Sequence, residues 1–394
     1  MTIAPPAPAP PGPAADPSRR VIVTMVAIQF AACLGFFSVM AHLVAYLRHD
    51  LGLLAGTVGV ILGVRVGLQF ALLMPVGAIT DTLGPRRTGV IACALRAPGF
   101  VLLGTAESVG ALLCAAVLIA VGGALYNPTA HTVLAGVAPA RRSGGFAAYA
   151  ATQHIGTVVA PPVGLALLAV GPGFTLLAGT AAAMWTIAGA LFLLLPKGGK
   201  EPSTPRFGEV LRGLRGVFGD RRFLLFALTT APSSLLANHI MTAVPNLGFT
   251  AGTATLCFSV LAAVAAAAQP FVAAGHRGER TWVLRLGLLC AAAAFLVLAW
   301  LDGTETGPLM FAAVLNGVAN GLVQPSIFQH TARHAPLERY GAYYGVLAFC
   351  AGMFSCVGDM VIGRVFDLGP AGATAALLGV AAFALAAALT TRRP

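Results

Sequence analysis

Long stretches of apolar residues alternate with short polar loops along almost the whole chain. Each stretch has about 20 residues, the length that an α-helix needs to cross the hydrocarbon core of a bilayer. Because backbone polar groups find no water inside a membrane, such stretches predict helices with internal hydrogen bonds. The pattern predicts an all-α membrane protein with about twelve transmembrane helices, over residues 21–47, 53–79, 88–106, 109–137, 145–170, 173–195, 223–247, 251–274, 281–301, 308–332, 341–366 and 369–390.

Two segments depart from this pattern. Residues 1–20 are rich in Pro and Ala and are predicted to form a disordered N-terminal tail. Residues 196–222 form the longest polar segment between apolar stretches, with apolar residues on one helical face and arginines on the other. We expect this segment to be a cytoplasmic amphipathic linker held by membrane lipids. It separates an N-terminal six-helix bundle from a C-terminal one, over residues 21–195 and 223–394.

Charged residues are few, and their distribution is uneven. The chain is 58% hydrophobic and 9% charged, with a net charge of +11. A basic chain can bind nucleic acid, but here the arginines cluster in alternate loops, as at Arg86, Arg87, Arg141 and Arg142. By the positive-inside rule those loops are cytoplasmic, which predicts that both termini are cytoplasmic as well. The charge therefore reports topology in a plasma membrane, and nucleic acid is excluded as a partner. Abundant Ala, Gly and Arg with few Lys suggest a bacterial genome.

The two halves of the chain repeat each other. When the sequence is shifted by half its length, prolines, arginines and glycines of the fourth and fifth helices coincide with those of the tenth and eleventh. The coinciding pairs are Pro128 with Pro325, Thr129 with Ser326, Pro139 with Pro336, Arg142 with Arg339 and Gly144 with Gly341. Parallel repeats of six helices are typical of transporters that rock about a central site. The repeat therefore predicts two pseudo-symmetric bundles.

A short charged loop between the second and third helices contains Gly77, Asp81, Gly84, Arg86 and Arg87. This spacing resembles the G-x-x-x-D-x-x-G-x-[RK]-[RK] signature of the major facilitator superfamily. The resemblance implies a twelve-helix fold with both ends of the loop at the cytoplasmic face. It also implies a gating role for Asp81, Arg86 and Arg87, which would stabilise one state of the transport cycle without contacting cargo.

The fifth helix carries a second motif, with Gly156, Pro161 and Gly164 as helix-packing residues. It is similar to a Gly/Pro motif of exporters in that superfamily, although Ala160 and Leu165 replace two glycines. Arg65, Gln69, Arg96 and the run Tyr126-Asn127-Pro128 further resemble a bacterial multidrug-resistance branch. One departure is Leu118, which stands where many proton-coupled drug antiporters have an arginine. Coupling through that arginine is therefore not implied for this chain.

Five charged residues lie inside the predicted helices, and three of them, Arg65, Arg96 and Asp359, are far enough from a helix end to need an explanation. A charge at the bilayer centre costs about 2.5–3.5 kcal/mol and must face protein or water. Arg65 is either an anchor for a polar or anionic substrate or a structural tie to a neighbouring helix. Arg96 lies nearer the inner surface, where it could extend toward the headgroups as a structural residue or take part in coupling. Asp359 breaks the internal repeat and is predicted to couple protons or gate the transport path.

Polar and aromatic residues recur at helical spacing on the helices that line the central cavity in this superfamily. Either they face a wet cavity or they form hydrogen bonds between helices. The predicted substrate-binding residues are Gln29, Phe36, Phe37, Arg65, Gln69, Tyr126, Asn127, Gln153, Asn238, His239, Asn316, Asn320 and Gln324.

No catalytic cluster, metal-ligand spacing or phosphate-binding glycine loop accompanies these residues, so we expect neither an enzyme nor a cofactor. The chain is interpreted as a monomeric secondary active transporter whose partners are a small-molecule substrate, protons and membrane lipids. We expect proton-coupled efflux of amphipathic neutral, zwitterionic or anionic compounds by antiport. The alternatives are a proton-coupled importer of a polar metabolite and a membrane sensor or enzyme.

Overall fold

A computed structural model describes residues 17–73, 83–196, 217–273, 277, 280–301, 305–335 and 340–391 of the chain. All regular elements within these ranges are helices. They are α1 (Pro17–Ala45), α2 (Ala55–Ala71), α3 (Pro85–Thr105), α4 (Val109–Ala135), α5 (Pro139–Leu168), α6 (Phe174–Leu193), α7a (Arg221–Thr230), α7b (Pro232–Asn246), α8 (Ala251–Ala273), α9 (Thr281–Leu298), α10 (Thr306–His334), α11 (Tyr340–Phe366) and α12 (Pro370–Thr390).

The helices confirm the predicted all-α membrane architecture. Eleven helical segments of the described chain are long and apolar enough to cross a membrane. The remaining predicted stretch contains α2, which has 17 residues and precedes residues 74–82, outside the described ranges. Each predicted apolar stretch therefore coincides with one helix or with the α7a–α7b pair.

The seventh predicted helix is divided into two pieces, which the apolar pattern did not predict. Helix α7a ends at Thr230 and α7b begins at Pro232. Proline has no N–H donor and its ring clashes with the preceding turn, so it suits the first turn of a helix and kinks or interrupts a helix elsewhere. At the other end of α7a, the Asp220 side chain accepts a hydrogen bond from the N–H of Phe223 at 3.1 Å. This N-cap starts the helix two residues inside the segment that we assigned to the linker.

Two large hydrophobic cores, one in each half, contain most of the buried apolar residues of the described chain. One consists of buried residues from α1 to α6, with Trp185, Phe100 and Phe192 among its largest side chains. The other, apart from Ala41 and Ala55, lies within residues 217–388. The cores show which helices pack together in each half. Of the predicted linker, residues 196–222, residues 197–216 lie outside the described ranges.

Successive helices alternate in direction, which gives the molecule two ends. At the far end, the end of α11 lies beside the start of α2, where Asp367 bonds to Ala55. At the terminal end, the end of α10 lies beside the start of α7a, where His334 bonds to Asp220. The two halves meet through α2 against α11, α5 against α8 and α1 against α7b. Contacts between α2 and α11 are the most extensive of these.

Close approach of α2 and α11 depends on small residues. A Cβ atom at Gly59 would overlap the backbone carbonyl oxygen of Asp359, and one at Gly63 would lie 2.8 Å from the carbonyl oxygen of Cys356. Both glycines lie on the face of α2 that contacts α11, one turn apart. Backbones can approach this closely only where side chains are absent. The contact brings Arg65, the one charged residue of α2, near enough to Asp359 in the second half for an electrostatic attraction.

Candidate functional site

Two titratable side chains lie close together where the halves join, and a third is near enough to attract one of them. The Nδ1 atom of His239, on α7b, lies 3.6 Å from Oδ1 of Asp359 on α11. Arg65 of α2 approaches the same carboxylate closely enough for an electrostatic attraction. The side chain of His239 is fully buried, whereas that of Asp359 is 12% exposed. Asp359 therefore lies near His239 of its own half and is attracted by Arg65 of the other half. The positions of these residues in the sequence did not predict that they would come together.

Arg96 points into the first bundle. Its side chain is buried, its Nε donates to the carbonyl oxygen of Ile119 at 3.3 Å, and its guanidinium lies 4.4 Å from the ring centre of Trp185. We expected that it could extend to the inner surface, and this expectation was wrong. The guanidinium is folded inward because aromatic faces and the Ile119 carbonyl offer it favourable contacts there.

Phe36 lies within reach of two arginines, Arg65 and Arg96. The guanidinium of Arg65 is 5.6 Å from its ring centre and that of Arg96 is 5.1 Å away. Phe37 packs edge-on against Phe36 at 5.2 Å, and both rings are only half-buried. The predicted substrate residues Phe36, Phe37 and Arg65 are therefore brought together by α1 and α2.

Gln69 joins this group one helical turn after Arg65. A Cβ atom at Gly123 would overlap a terminal nitrogen of Arg96 and lie 2.7 Å from the Gln69 Oε1 atom. Gly123 thus leaves space for both side chains beside α4. The Oε1 atom of Gln69 and the Nε atom of Arg65 are buried without a hydrogen-bond partner. Buried polar atoms are normally paired, so these two are available to a ligand or water.

A second polar group connects α1, α4 and α5. Tyr126 donates from its hydroxyl to Gln29 Oε1 at 2.8 Å, and the Gln29 amide nitrogen donates to Gln153 Oε1 at 3.4 Å. Tyr126 and Gln29 are buried, whereas Gln153 is exposed, so the group runs from the bundle interior to its surface. The neighbouring Asn127 is exposed. The structure therefore brings together three of these four predicted residues.

The three predicted polar residues on α10, Asn316, Asn320 and Gln324, have two different environments. Asn316 is fully buried and donates to the carbonyl oxygen of Leu236 on α7b at 3.4 Å, which is the interhelical role that the sequence left open. Asn320 donates to Asn316 Oδ1 at 2.8 Å, and with Gln324 it lines a small pocket beside Ser233. The side chain of Asn238 lies outside the described residues.

The Gly/Pro motif of α5 packs against α1. A Cβ atom at Gly156 would collide with Cys33, and one at Gly164 would lie 2.6 Å from the carbonyl oxygen of Ser38. The carbonyl oxygen of Pro161 contacts Nε2 of His42 at 3.0 Å. The motif thus lies at a tight helix–helix contact.

The charged loop between α2 and α3 is only partly within the described ranges, because Gly77 and Asp81 lie outside them. Gly84, with φ of +78°, precedes Pro85 at the start of α3. Glycine adopts this left-handed conformation without strain, and proline suits the first helical position. Arg86 is half-buried and Arg87 is exposed. Their gating role stays a prediction.

Two contacts were missed by sequence reasoning. At the far end, Asp367 accepts hydrogen bonds from the backbone N–H groups of Ala55 and Gly56, at 2.6 and 2.7 Å. At the terminal end, Asp220 Oδ2 lies 2.7 Å from Nε2 of His334 and accepts from the Tyr343 hydroxyl at 3.1 Å. Each acid stands beside a helix end in the sequence, but nothing local indicates its distant partner.

Burial and hydrogen bonding shift the pKa of Asp220 in opposite directions. Burial alone would raise its pKa. Hydrogen bonds from His334, the Phe223 N–H and Tyr343 stabilise the carboxylate, and together they hold the pKa of Asp220 below its usual value. The acid is therefore charged over the physiological range and links α7a, α10 and α11 at the terminal end.

The molecule has two bundles of membrane-spanning helices, and charged groups lie where the bundles meet. This architecture is typical of membrane transport proteins. The family model described as Major Facilitator Superfamily matches residues 25–359. The chain belongs to this family, and it is a secondary transporter rather than an enzyme. The superfamily resemblance drawn from the sequence is confirmed.

Curated relatives cover most of the chain. An uncharacterized MFS-type transporter of Mycobacterium tuberculosis is 27% identical over 366 residues, 89% of this chain and 86% of the relative. The multidrug resistance protein MdtH of Shigella dysenteriae is 26% identical over 348 residues, 85% of this chain and 84% of the relative.

Solved structures share the fold. The nucleoside transporter NupG superimposes with a TM-score of 0.76 at 15% identity, covering 94% of this chain and 97% of that one. A POT family transporter in complex with 5-aminolevulinic acid gives a TM-score of 0.76 at 14% identity, covering 93% and 94%. At these identities the likeness concerns the fold alone.

Proposed function

We propose that this chain is a proton-coupled secondary transporter that exports small amphipathic neutral, zwitterionic or anionic compounds by alternating access. The proposed location is a bacterial plasma membrane, with both termini cytoplasmic as the positive-inside rule indicates. The observation that carries the proposal is the position of Asp359 between His239 of its own half and Arg65 of the other half.

Protonation of Asp359 would change the energy of the contact between halves. An ionised carboxylate attracts the Arg65 guanidinium strongly in a poorly hydrated site, and a neutral carboxyl does not. Proton uptake therefore weakens an attraction that joins α2 to α11, and proton release restores it. The charged and titratable groups around Asp359 are Arg65 on α2, His239 on α7b and Cys356 on its own helix. A carboxyl group in this position links proton binding to separation of the halves.

Export is supported by relatives whose printed name is multidrug resistance protein. The compounds proposed follow from the charges of the central site. Arg65 and Arg96 both contact Phe36, and a lipophilic cation would be repelled by them. The half-buried aromatic rings suit an apolar body.

Proton-coupled import of an anionic metabolite is a second candidate, and one observation favours it. Arg65 attracts Asp359, so an anionic cargo at Arg65 would compete with that carboxylate. A proton on Asp359 would then assist cargo binding, which is the behaviour of a symporter.

Transport into sealed vesicles of both orientations tests the proposal. Purified protein is reconstituted with a panel of amphipathic compounds, and a proton gradient is imposed and then collapsed. Export is expected to appear as gradient-dependent accumulation inside inverted vesicles whose lumen is acidic. The same accumulation in right-side-out vesicles with an acidic exterior would identify an importer.

The variant Asp359→Asn keeps the size of the side chain but cannot take up and release a proton. It is expected to lose gradient-driven accumulation while still exchanging labelled for unlabelled compound. Asp50→Asn, a change of an exposed acid at the far end, serves as the matched control. Proton-driven transport that persists unchanged in Asp359→Asn would refute the assigned role.

A further inference from the structure

The strongest unassigned feature is the excess of positive charge around Phe36. We infer that Arg65, Arg96, Gln69 and Phe36 form a binding site for one anionic group, a carboxylate or sulfonate, attached to an aromatic or apolar body. This inference rests on the second candidate function, proton-coupled import of an anionic compound, because the ligand is taken to be cargo whose binding a proton on Asp359 assists. It adds the chemical class of that cargo and the way in which Asp359 controls its binding.

The charges do not balance without a ligand. Arg65 and Arg96 lie close enough to repel each other, and both guanidiniums approach the same aromatic ring. Asp359 is the carboxylate that attracts Arg65 among the described residues, and the described partners of Arg96 are a backbone carbonyl and two aromatic faces. Charges away from water need a counter-charge or a hydrated cavity. One further negative charge would balance the pair of arginines while Asp359 is ionised.

Hydrogen-bonding capacity is also left over at the same place. The Nε donor of Arg65 has no partner although it is buried, and a guanidinium fork suits the planar geometry of a carboxylate. The Oε1 atom of Gln69 is likewise unpaired and can accept from an N–H or O–H next to the anionic group. A group that uses the Nε donor removes an unsatisfied buried atom, which itself stabilises the complex.

An aromatic wall adjoins the charged groups. Phe36 packs edge-on with Phe37 and with Phe100, at centroid distances of 5.2 and 6.4 Å. Phe36 and Phe37 retain exposed surface, whereas Phe100 is buried beneath them. The exposed rings can cover the apolar body of a ligand whose anionic group is held by the arginines.

Asp359 competes with such a ligand. While ionised, it attracts Arg65 and repels an incoming anion, so a proton on Asp359 both frees Arg65 and removes the repulsion. Binding of the proton and binding of the anion therefore strengthen each other by equal factors. The groups that face Asp359 in this balance are Arg65 from α2 and His239 from α7b, with Cys356 on the same helix.

Tryptophan fluorescence provides a local signal for the test. The chain has three tryptophans, and Trp185 contacts Arg96 while Trp282 and Trp300 are exposed residues of the second half. Replacing Trp282 and Trp300 by Phe leaves Trp185 as the reporter in protein reconstituted in lipid nanodiscs. The probes are benzenesulfonate, whose charge does not titrate, and benzenesulfonamide, a neutral molecule of nearly the same shape.

We expect benzenesulfonate to bind at least about tenfold more tightly than benzenesulfonamide, since loss of one charge-assisted contact corresponds to about that factor. Arg65→Gln and Arg96→Gln should each remove this preference, and Arg65→Lys should retain part of it. Asp359→Asn should bind benzenesulfonate more tightly than the parent, because it removes a negative charge beside Arg65. Arg285→Gln removes an arginine that donates to the Thr391 carbonyl at the terminal end and should change none of these values.

Several results would overturn the inference. They are equal affinity for the two probes, an unchanged preference in both folded glutamine variants, or weaker sulfonate binding in Asp359→Asn. If a glutamine variant does not fold, as judged by its thermal unfolding, the comparison of probes and the Asp359→Asn result decide the matter alone. Binding is measured without a gradient, so a protein that prefers the anion but transports nothing contradicts only the proposed function. Transport without anion preference contradicts only this inference.

Discussion

Asp367 at the end of α11 caps Ala55 at the start of α2, with its Oδ1 atom accepting a hydrogen bond from the Ala55 N–H at 2.6 Å. Its second oxygen accepts from the Gly56 N–H at 2.7 Å, and Arg48 lies 3.8 Å away. The first N–H groups of a helix lack partners within the helix and carry partial positive charge, so a carboxylate is favourable there. The contact ties the second half of the molecule to the first at the far end. The halves cannot separate there without breaking it.

Removing this carboxylate should favour separation of the halves at the far end. In Asp367→Ala we expect the closed arrangement to lose about 2 kcal/mol relative to the open one, the scale of charge-assisted hydrogen bonds at a helix start. The measurement is the labelling rate of a cysteine introduced at Thr57, in the groove that Asp367 lines, by a membrane-impermeant maleimide. The rate should rise in Asp367→Ala and stay unchanged in Asp50→Ala. Equal rates in all three proteins would show that the contact does not hold this end closed.

The glycine seam between α2 and α11 makes a related prediction. A methyl group at Gly59 would overlap the carbonyl oxygen of Asp359, so Gly59→Ala should prevent the two helices from meeting as they do here. We expect faster labelling at position 57 and slower transport. Gly110→Ala is the matched control, because a Cβ atom at Gly110 meets nothing within 4 Å. Normal labelling in Gly59→Ala would mean that the backbones can shift without cost.

Much of the fold could be predicted because apolar length is a local property. A helix that crosses a membrane must carry a run of apolar residues, and each predicted run coincides with a helix of the described chain. The break between Thr230 and Pro232 also has a local cause, because proline favours the start of a helix. The apolar pattern alone did not predict it. The packing of α2 against α11 could not be predicted in this way. Small residues allow two helices to pack closely, but they do not indicate which helix the partner is.

In the candidate site, individual residues could be predicted from the sequence, but the contacts between them could not. Arg65 and Asp359 could be singled out because charges are rare inside membranes, and Tyr126 through its place in the resemblance. Their partners depend on how distant helices are oriented, which spacing along the chain does not contain. The inward direction of Arg96 is an example: a long side chain near a helix end can reach either the surface or the interior. The ring faces of Trp185 and Phe36 decide in favour of the interior.

The hydrogen bond between Tyr126 and Gln29 should contribute to stability. The Tyr126 hydroxyl donates to Gln29 Oε1 at 2.8 Å in a buried setting, so Tyr126→Phe leaves that acceptor without this donor. We expect a loss of about 1 kcal/mol in the free energy of unfolding, the usual cost of a buried hydrogen bond. Chemical unfolding in detergent, followed by circular dichroism, gives the value.

Tyr344→Phe provides the comparison for that measurement. The Tyr344 hydroxyl also donates to an oxygen, the Phe328 carbonyl at 2.7 Å, but in an exposed setting. Water can replace that bond, so the loss should be smaller than in Tyr126→Phe. If the two variants lose equal stability, burial is not what makes the Tyr126 bond important.

The hydrogen bonds that Asp220 accepts from His334 and Tyr343 predict how the stability of the folded protein depends on pH under acidic conditions. Because the hydrogen bonds hold the pKa of Asp220 below its ordinary value of 3.8, the ionised acid stabilises the folded protein. The contribution is complete above that ordinary value and is lost as the pH falls through the lower pKa of the folded state. Asp220→Asn lacks it at every pH. The difference in unfolding temperature between parent and Asp220→Asn should therefore be constant near pH 5 and shrink below about pH 4. The Asp50→Asn control should show no such change, and a difference that stays constant to the lowest accessible pH would contradict the role assigned to Asp220.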